Sequence, residues 1–192
     1  MSSIAAADTY ITPEAYLASE RRAKYKSEYI HGEVLAMSGA SRAHNIITVD
    51  ITTELNIQLR PRGCEIYSGD MRVRTSRTGS YFYPDVVVVC EKPRFEDNVF
   101  DTLLNPILVV EVLSPSTEVY DKGEKFAHYQ ELASLREYIL VSQDRIHVTH
   151  HRLMESQWAG KEFHTPEDVL LLDSIECKLP LQDIYTRVTL SD

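Results

Sequence analysis

The sequence predicts a mixed α/β fold, of the α+β kind, around a central sheet. Val86–Val89 and Ile107–Leu113 are apolar runs without alternation, as in strands covered on both faces. Ile47, Ile51, Leu55 and Leu59 recur every four residues, which gives a helix with one apolar stripe. Beyond Asp144 the pattern turns to short β segments.

Thr12-Pro13-Glu14 reads as a helix start, with Thr as N-cap and Pro at the first helical position, so a helix is expected over residues 13–20. Residues 28–30 and 33–37 flank His31-Gly32, a two-residue hairpin turn. Ser41 caps the striped helix, which Arg60-Pro61-Arg62-Gly63 ends. Strands follow at 64–68, 71–75 and 86–89, then a polar loop at 91–106 and the strand 107–113. Ser114-Pro115-Ser116-Thr117 caps a helix of about residues 118–133, with Phe126, Tyr129 and Leu132 facing inward. A core strand at 138–141 precedes β segments at 146–151, 158–163, 168–172 and 176–179, and a closing turn at 181–185.

The chain has 192 residues, which suits one domain over 1–192 with a full core. No apolar run is long enough to cross a bilayer, and the N-terminus lacks the basic and apolar regions of a secretory signal, so a cytoplasmic location is expected. Cys64, Cys90 and Cys177 form no CxxC pair, so they read as buried thiols, with no zinc site and no disulfide framework. The net charge of −9 argues against a passive nucleic-acid binder but not against a nucleic-acid enzyme. A local basic stripe is available in Arg60, Arg62, Arg72, Arg74 and Arg77; on a strand, Arg72 and Arg74 share a face and could contact a DNA backbone. A solvated strand face is the plainer reading of those arginines.

Glu111 is the only charged residue in ILVVEVL. A buried carboxylate requires a basic side chain, a metal ion or a proton. Asp85, in Tyr83-Pro84-Asp85 at the start of the four-valine strand, could converge on the same point if the two strands are neighbours. Two carboxylates brought together repel, and oxygen ligands of this kind suit Mg²⁺, with Mn²⁺ as substitute. Asp85 and Glu111 are therefore the candidate metal ligands, against a structural ion pair as the alternative.

Pro84-Asp85 followed by Glu111-Val112-Leu113 resembles the PD-(D/E)XK nuclease signature. YIHGEVLAMSGASRAH at 29–44, FYPDVVVVC at 82–90 and NPILVVEVLSPSTEVYDKGEKFAHYQELASLREYILV at 105–141 resemble the Uma-type family of restriction-endonuclease-like proteins, abundant in cyanobacteria. The resemblance implies an αβββαβ restriction-endonuclease-like core and Mg²⁺-dependent hydrolysis of DNA. It implies that the Val112 carbonyl joins Asp85 and Glu111 on the metal. It also implies a lysine beside the attacking water. Leu113 stands where the superfamily has that lysine, and the resemblance moves the role to Lys125 on the next helix; Lys122, three residues earlier, reads as a solvated helix residue. Glu33 and His44 match family positions and are accessory candidates. The other histidines, His31, His128, His147, His150, His151 and His164, have no ligand spacing, and Ser114 and Ser116 are better read as caps than as nucleophiles. A homodimer would match the two strands of a duplex. The alternative is a catalytically inactive module of the same fold that binds nucleic acid or a protein partner.

Overall fold

The computed structural model describes residues 10–75, 79–115 and 117–190. Helix α1 (Pro13–Glu20) starts as expected: the Thr12 hydroxyl accepts the Ala15 N–H at 3.2 Å. Strands β1 (Ser27–Ile30) and β2 (Glu33–Ala36) form the hairpin, with His31 and Gly32 both at positive φ, 48° and 102°. Only glycine suits the second position, because a Cβ there would meet the Tyr10 ring at 2.2 Å. Helix α2 (Arg42–Leu59) is capped by Ser41 and buries Ile47, Ile51, Leu55 and Leu59.

A six-stranded sheet runs in the order β11-β10-β9-β8-β6-β3, made of β3 (Glu65–Ser68), β6 (Val86–Val89), β8 (Leu108–Leu113), β9 (Glu137–Ser142), β10 (Val148–Met154) and β11 (Gln157–Phe163). β3, β6 and β8 are antiparallel neighbours, and β8 pairs in parallel with β9. The α2, β3, β6, β8, helix, β9 succession supplies the expected αβββαβ order.

Alternate valines of β6 serve different layers. Val86 and Val88 pack with Val110, Val112 and the α2 stripe, beneath the hairpin β12 (Val169–Leu172) and β13 (Cys177–Pro180) and helix α5 (Leu181–Tyr185). Val87 and Val89 pack with Val109, Leu113, Val73, Phe82, Phe126 and Tyr129 on the opposite face. Two covered faces explain why neither run alternates.

Four expectations need correction. There is not one central sheet: β2-β1-β5-β4-β7 forms a second, five-stranded sheet, with β4 (Arg72–Arg74), β5 (Tyr81–Phe82) and β7 (Thr102–Leu103). β7 lies inside the segment read as loop, because two residues carry no periodicity to detect. The helix after β8 is shorter and broken: α3 (Glu118–Tyr120), a π-helical turn (Asp121–Lys125), then α4 (Phe126–Gln130). Finally, Cys64 and Cys90 form a disulfide. The β3–β6 register pairs Glu65 with Val89, so the two cysteines oppose each other one step beyond it. Only Cys177 remains a buried free thiol. Arg77 and Ser116 lie outside the described residues.

Candidate functional site

The β6–β8 ladder pairs Val86 with Val110, so continuing it one step sets Asp85 opposite Glu111. Pro84 has no N–H to extend that ladder. Beyond that break the Asp85 side chain meets β8 instead: Oδ2 accepts the Val112 N–H at 2.7 Å. Within a strand, a residue's N–H and C=O point to the same side, so the Val112 carbonyl also faces the Asp85 side of β8. His44, in the first turn of α2, brings Nε2 to 3.2 Å from the same Asp85 oxygen.

Glu111 is buried within β8 and meets Lys125. The Lys125 ammonium lies 3.0 Å from Glu111 Oε1, 2.9 Å from Glu28 Oε1 and 3.5 Å from Asp121 Oδ1. The Tyr129 hydroxyl donates to Glu111 Oε1 at 3.2 Å. The segment carrying Lys125 is the π turn, whose extra residue per turn swings the chain relative to an α-helix; such turns recur at functional sites. Phe82 flanks the ammonium at 5.6 Å.

The charges do not balance. Glu28, Glu111 and Asp121 face one lysine, and Asp85 adds to the negative side. Burial pushes the Glu111 carboxyl well above the usual carboxylate range; Lys125 opposes this, while Asp121, Asp85 and Glu28 reinforce it. Burial alone would lower the Lys125 ammonium, but Glu111, Glu28, Tyr129 and Asp121 hold it well above the ordinary lysine value. The lysine therefore stays charged, and Glu111 is left to take up a proton or to share a further cation. A hard divalent cation fits this donor set: the Asp85 and Glu111 carboxylates and the Val112 carbonyl are all oxygen ligands.

The remaining candidates separate clearly. Glu33 is exposed on β2 and has no part in the cluster. Lys122 is an outward helix residue paired with Glu118 at 2.6 Å. Among the described residues, Arg62, Arg72 and Arg74 are each paired with an acidic side chain rather than forming an open basic stripe. Arg72 is buried against Asp101, with Nε donating to Thr102 at 3.1 Å and Nη1 to the Tyr83 hydroxyl at 2.9 Å. Arg74 pairs with Glu96 at 2.8 Å. Both lie on one face of β4, as expected; Arg72 is buried there and Arg74 is half-buried, each engaged by a carboxylate within the protein. Arg62 pairs with Glu176 at 3.3 Å.

Glu28, Asp121 and Tyr129 are the cluster members that were missed as site residues. Each left a trace in the sequence. Glu28 shares a strand face with Ile30, which is buried. Asp121 and Tyr129 each stand four residues from Lys125.

Residues 13–182 match the model of the Uma2 family, described as "putative restriction endonuclease". Two uncharacterized proteins of Synechocystis sp. are similar: sll1609 is 38% identical over 156 residues, 81% of this chain and 88% of that protein. The second, slr1290, is 36% identical over 176 residues, 91% of each chain. The fold is similar to a crystal structure titled "a putative nuclease belonging to DUF820", from Anabaena variabilis, with TM-score 0.75 and 19% identity over 92% of this chain and 98% of that one. The match over nearly the whole described chain, and the two close relatives, establish that the protein belongs to the Uma2 family.

Proposed function

We propose that this chain is a divalent-metal-dependent nuclease that hydrolyses phosphodiester bonds in DNA. The observation that carries this reading is the convergence of Glu28, Glu111 and Asp121 on a single buried lysine, with Asp85 set opposite Glu111 on the neighbouring strand. A core with no use for a cation has little reason to collect four carboxylates. The family description supports the substrate class.

Asp85, Glu111 and the Val112 carbonyl would hold Mg²⁺ or Mn²⁺. When bound, such an ion polarises a phosphate oxygen and lowers the pKa of a coordinated water. Lys125 stays protonated among its carboxylates and so acts as a fixed positive charge and hydrogen-bond donor, able to orient an attacking water or steady a phosphate. Tyr129 fixes the Glu111 carboxylate by its hydrogen bond. His44, against Asp85, is positioned to orient that carboxylate or to exchange a proton with bound substrate. A homodimer, one copy for each strand of a duplex, belongs to this reading.

A second reading, an inactive module of the same fold, is favoured by one observation: Arg72 and Arg74 are neutralised internally. The deciding experiment incubates purified protein with supercoiled plasmid and Mg²⁺ or Mn²⁺, with and without chelator. Nicking that needs the metal and is lost in Glu111→Gln supports the nuclease. Equal cleavage by Glu111→Gln, or none by the parent, replaces it with the inactive module.

A further inference from the structure

We propose that His147, Glu162 and His164 form a second metal site, of the Zn²⁺ type, at the open end of the β10–β11 hairpin. The two histidines are seventeen positions apart in sequence, so spacing alone gives no motif. The β10–β11 register brings them together. Val148 pairs with Phe163, which sets His147 and His164 opposite each other one step beyond it. Glu162 is two residues before His164, so all three side chains leave the same face of the hairpin.

The imidazoles stack with centroids 4.8 Å apart and planes at 11°. The Glu162 carboxylate lies between their Nε2 atoms, 3.7 Å from His147 and 3.5 Å from His164. One ligand atom from each residue falls within 4.8 Å of the others. Ligands at about 2.0–2.1 Å on a tetrahedral ion stand roughly 3.3 Å apart, so shifts on the order of 1 Å close the set. His164 and Glu162 are 58% and 59% exposed and are free to make that shift.

A separate observation points to a ligand. Nε2 of His147 is buried and has no hydrogen-bond partner among the described residues. A buried imidazole nitrogen without a partner is costly, and a metal bond would satisfy it. The nearby cations do not close the site: Lys122 and Arg145 are both engaged by Glu118, at 2.6 Å and 3.3 Å. Two imidazoles and one carboxylate favour Zn²⁺ over Mg²⁺ and leave a fourth position open. The site lies on the same sheet face as Glu111, three strands away, or about 14 Å at the usual strand spacing of about 4.8 Å. It is therefore distinct from the Asp85–Glu111 pair.

The test is a Zn²⁺ titration of full-length Asp85→Asn protein against a chromophoric chelator, so that the first pair does not compete. One equivalent of Zn²⁺ per chain is expected. Adding His164→Ala or Glu162→Gln, both at exposed positions that folding tolerates, should each weaken uptake at least tenfold. Co²⁺ should give a visible absorption band that His164→Ala removes. No uptake by Asp85→Asn protein, or uptake unchanged by either added substitution, overturns the proposal. The readout is binding, so it stands or falls separately from nuclease activity.

Discussion

The ammonium of Lys125 lies 3.0 Å from Oε1 of Glu111, although the two residues come from different elements fourteen positions apart. That contact makes the lysine both a catalytic candidate and a structural partner. Lys125→Met should lower DNA cleavage by about 10²-fold or more, the usual scale for losing one positioned charge-stabilising donor. Because Glu111 and Glu28 would lose their cation, the metal-free variant should also be about 3–5 kcal/mol less stable. Metal affinity should not fall, since the divalent ion then becomes the main source of positive charge. Urea denaturation in chelator, with cleavage assays and metal titration, separates the three effects; unchanged cleavage rules out the catalytic role.

Glu111→Gln should divide stability from function. The carboxyl is raised by burial and by Asp121, Asp85 and Glu28, so neutralising it relieves repulsion. Its metal-free melting temperature should equal or exceed that of the parent. The parent at a Mg²⁺ concentration of a hundred times Kd should gain about 2.7 kcal/mol. The variant should gain almost nothing. Scanning calorimetry with and without Mg²⁺ reads both.

The Cys64–Cys90 disulfide closes a loop of sequence separation 26 at the end of β3 and β6. Replacing both cysteines by serine, or reducing the bond, should cost about 2–4 kcal/mol in denaturant unfolding. Identical midpoints with and without reductant would show that the bond does not contribute.

Asp101 should govern part of the acid stability. Its carboxyl is held far below the usual range, first by hydrogen bonds from Arg21 and then by Arg72, with burial opposing. Arg21 Nε reaches it at 2.8 Å. A depressed carboxylate contributes stability above its unfolded value of about 3.9 and loses it as pH falls through the folded value. Asp101→Asn should therefore cost about 1–3 kcal/mol at neutral pH, and the gap to the parent should narrow steadily below about pH 5. A gap independent of pH would contradict this account.

What was legible in the sequence follows from what periodicity reports. The runs Val86–Val89 and Ile107–Leu113 announced burial on both faces, and the caps at Thr12 and Ser41 announced helix starts, because each is a local property. Lys125 was located through the displaced lysine of a family pattern, and its contact with Glu111 follows from the fold. Glu28 was missed because nothing local says that β1 packs across to β8. The cysteine pair and the His147–His164 pair were missed for the same reason: each needs strand register, which is set by tertiary pairing. Arg72 and Arg74 were assigned the right shared face of β4 but the wrong surroundings, since alternation fixes relative orientation and not what covers a face.

The bridge from Glu28 through Lys125 to Glu111 also ties one sheet to the other, since β1 belongs to the five-stranded sheet and β8 to the six-stranded one. On the nuclease reading, catalysis and cohesion between layers would be vested in the same ammonium. A lineage that ceased to cut DNA could not drift away from this lysine one substitution at a time, because the first step would strand two carboxylates in the interior. The cluster would outlive the activity, and its presence in a relative is a record of ancestry before it is a sign of present turnover.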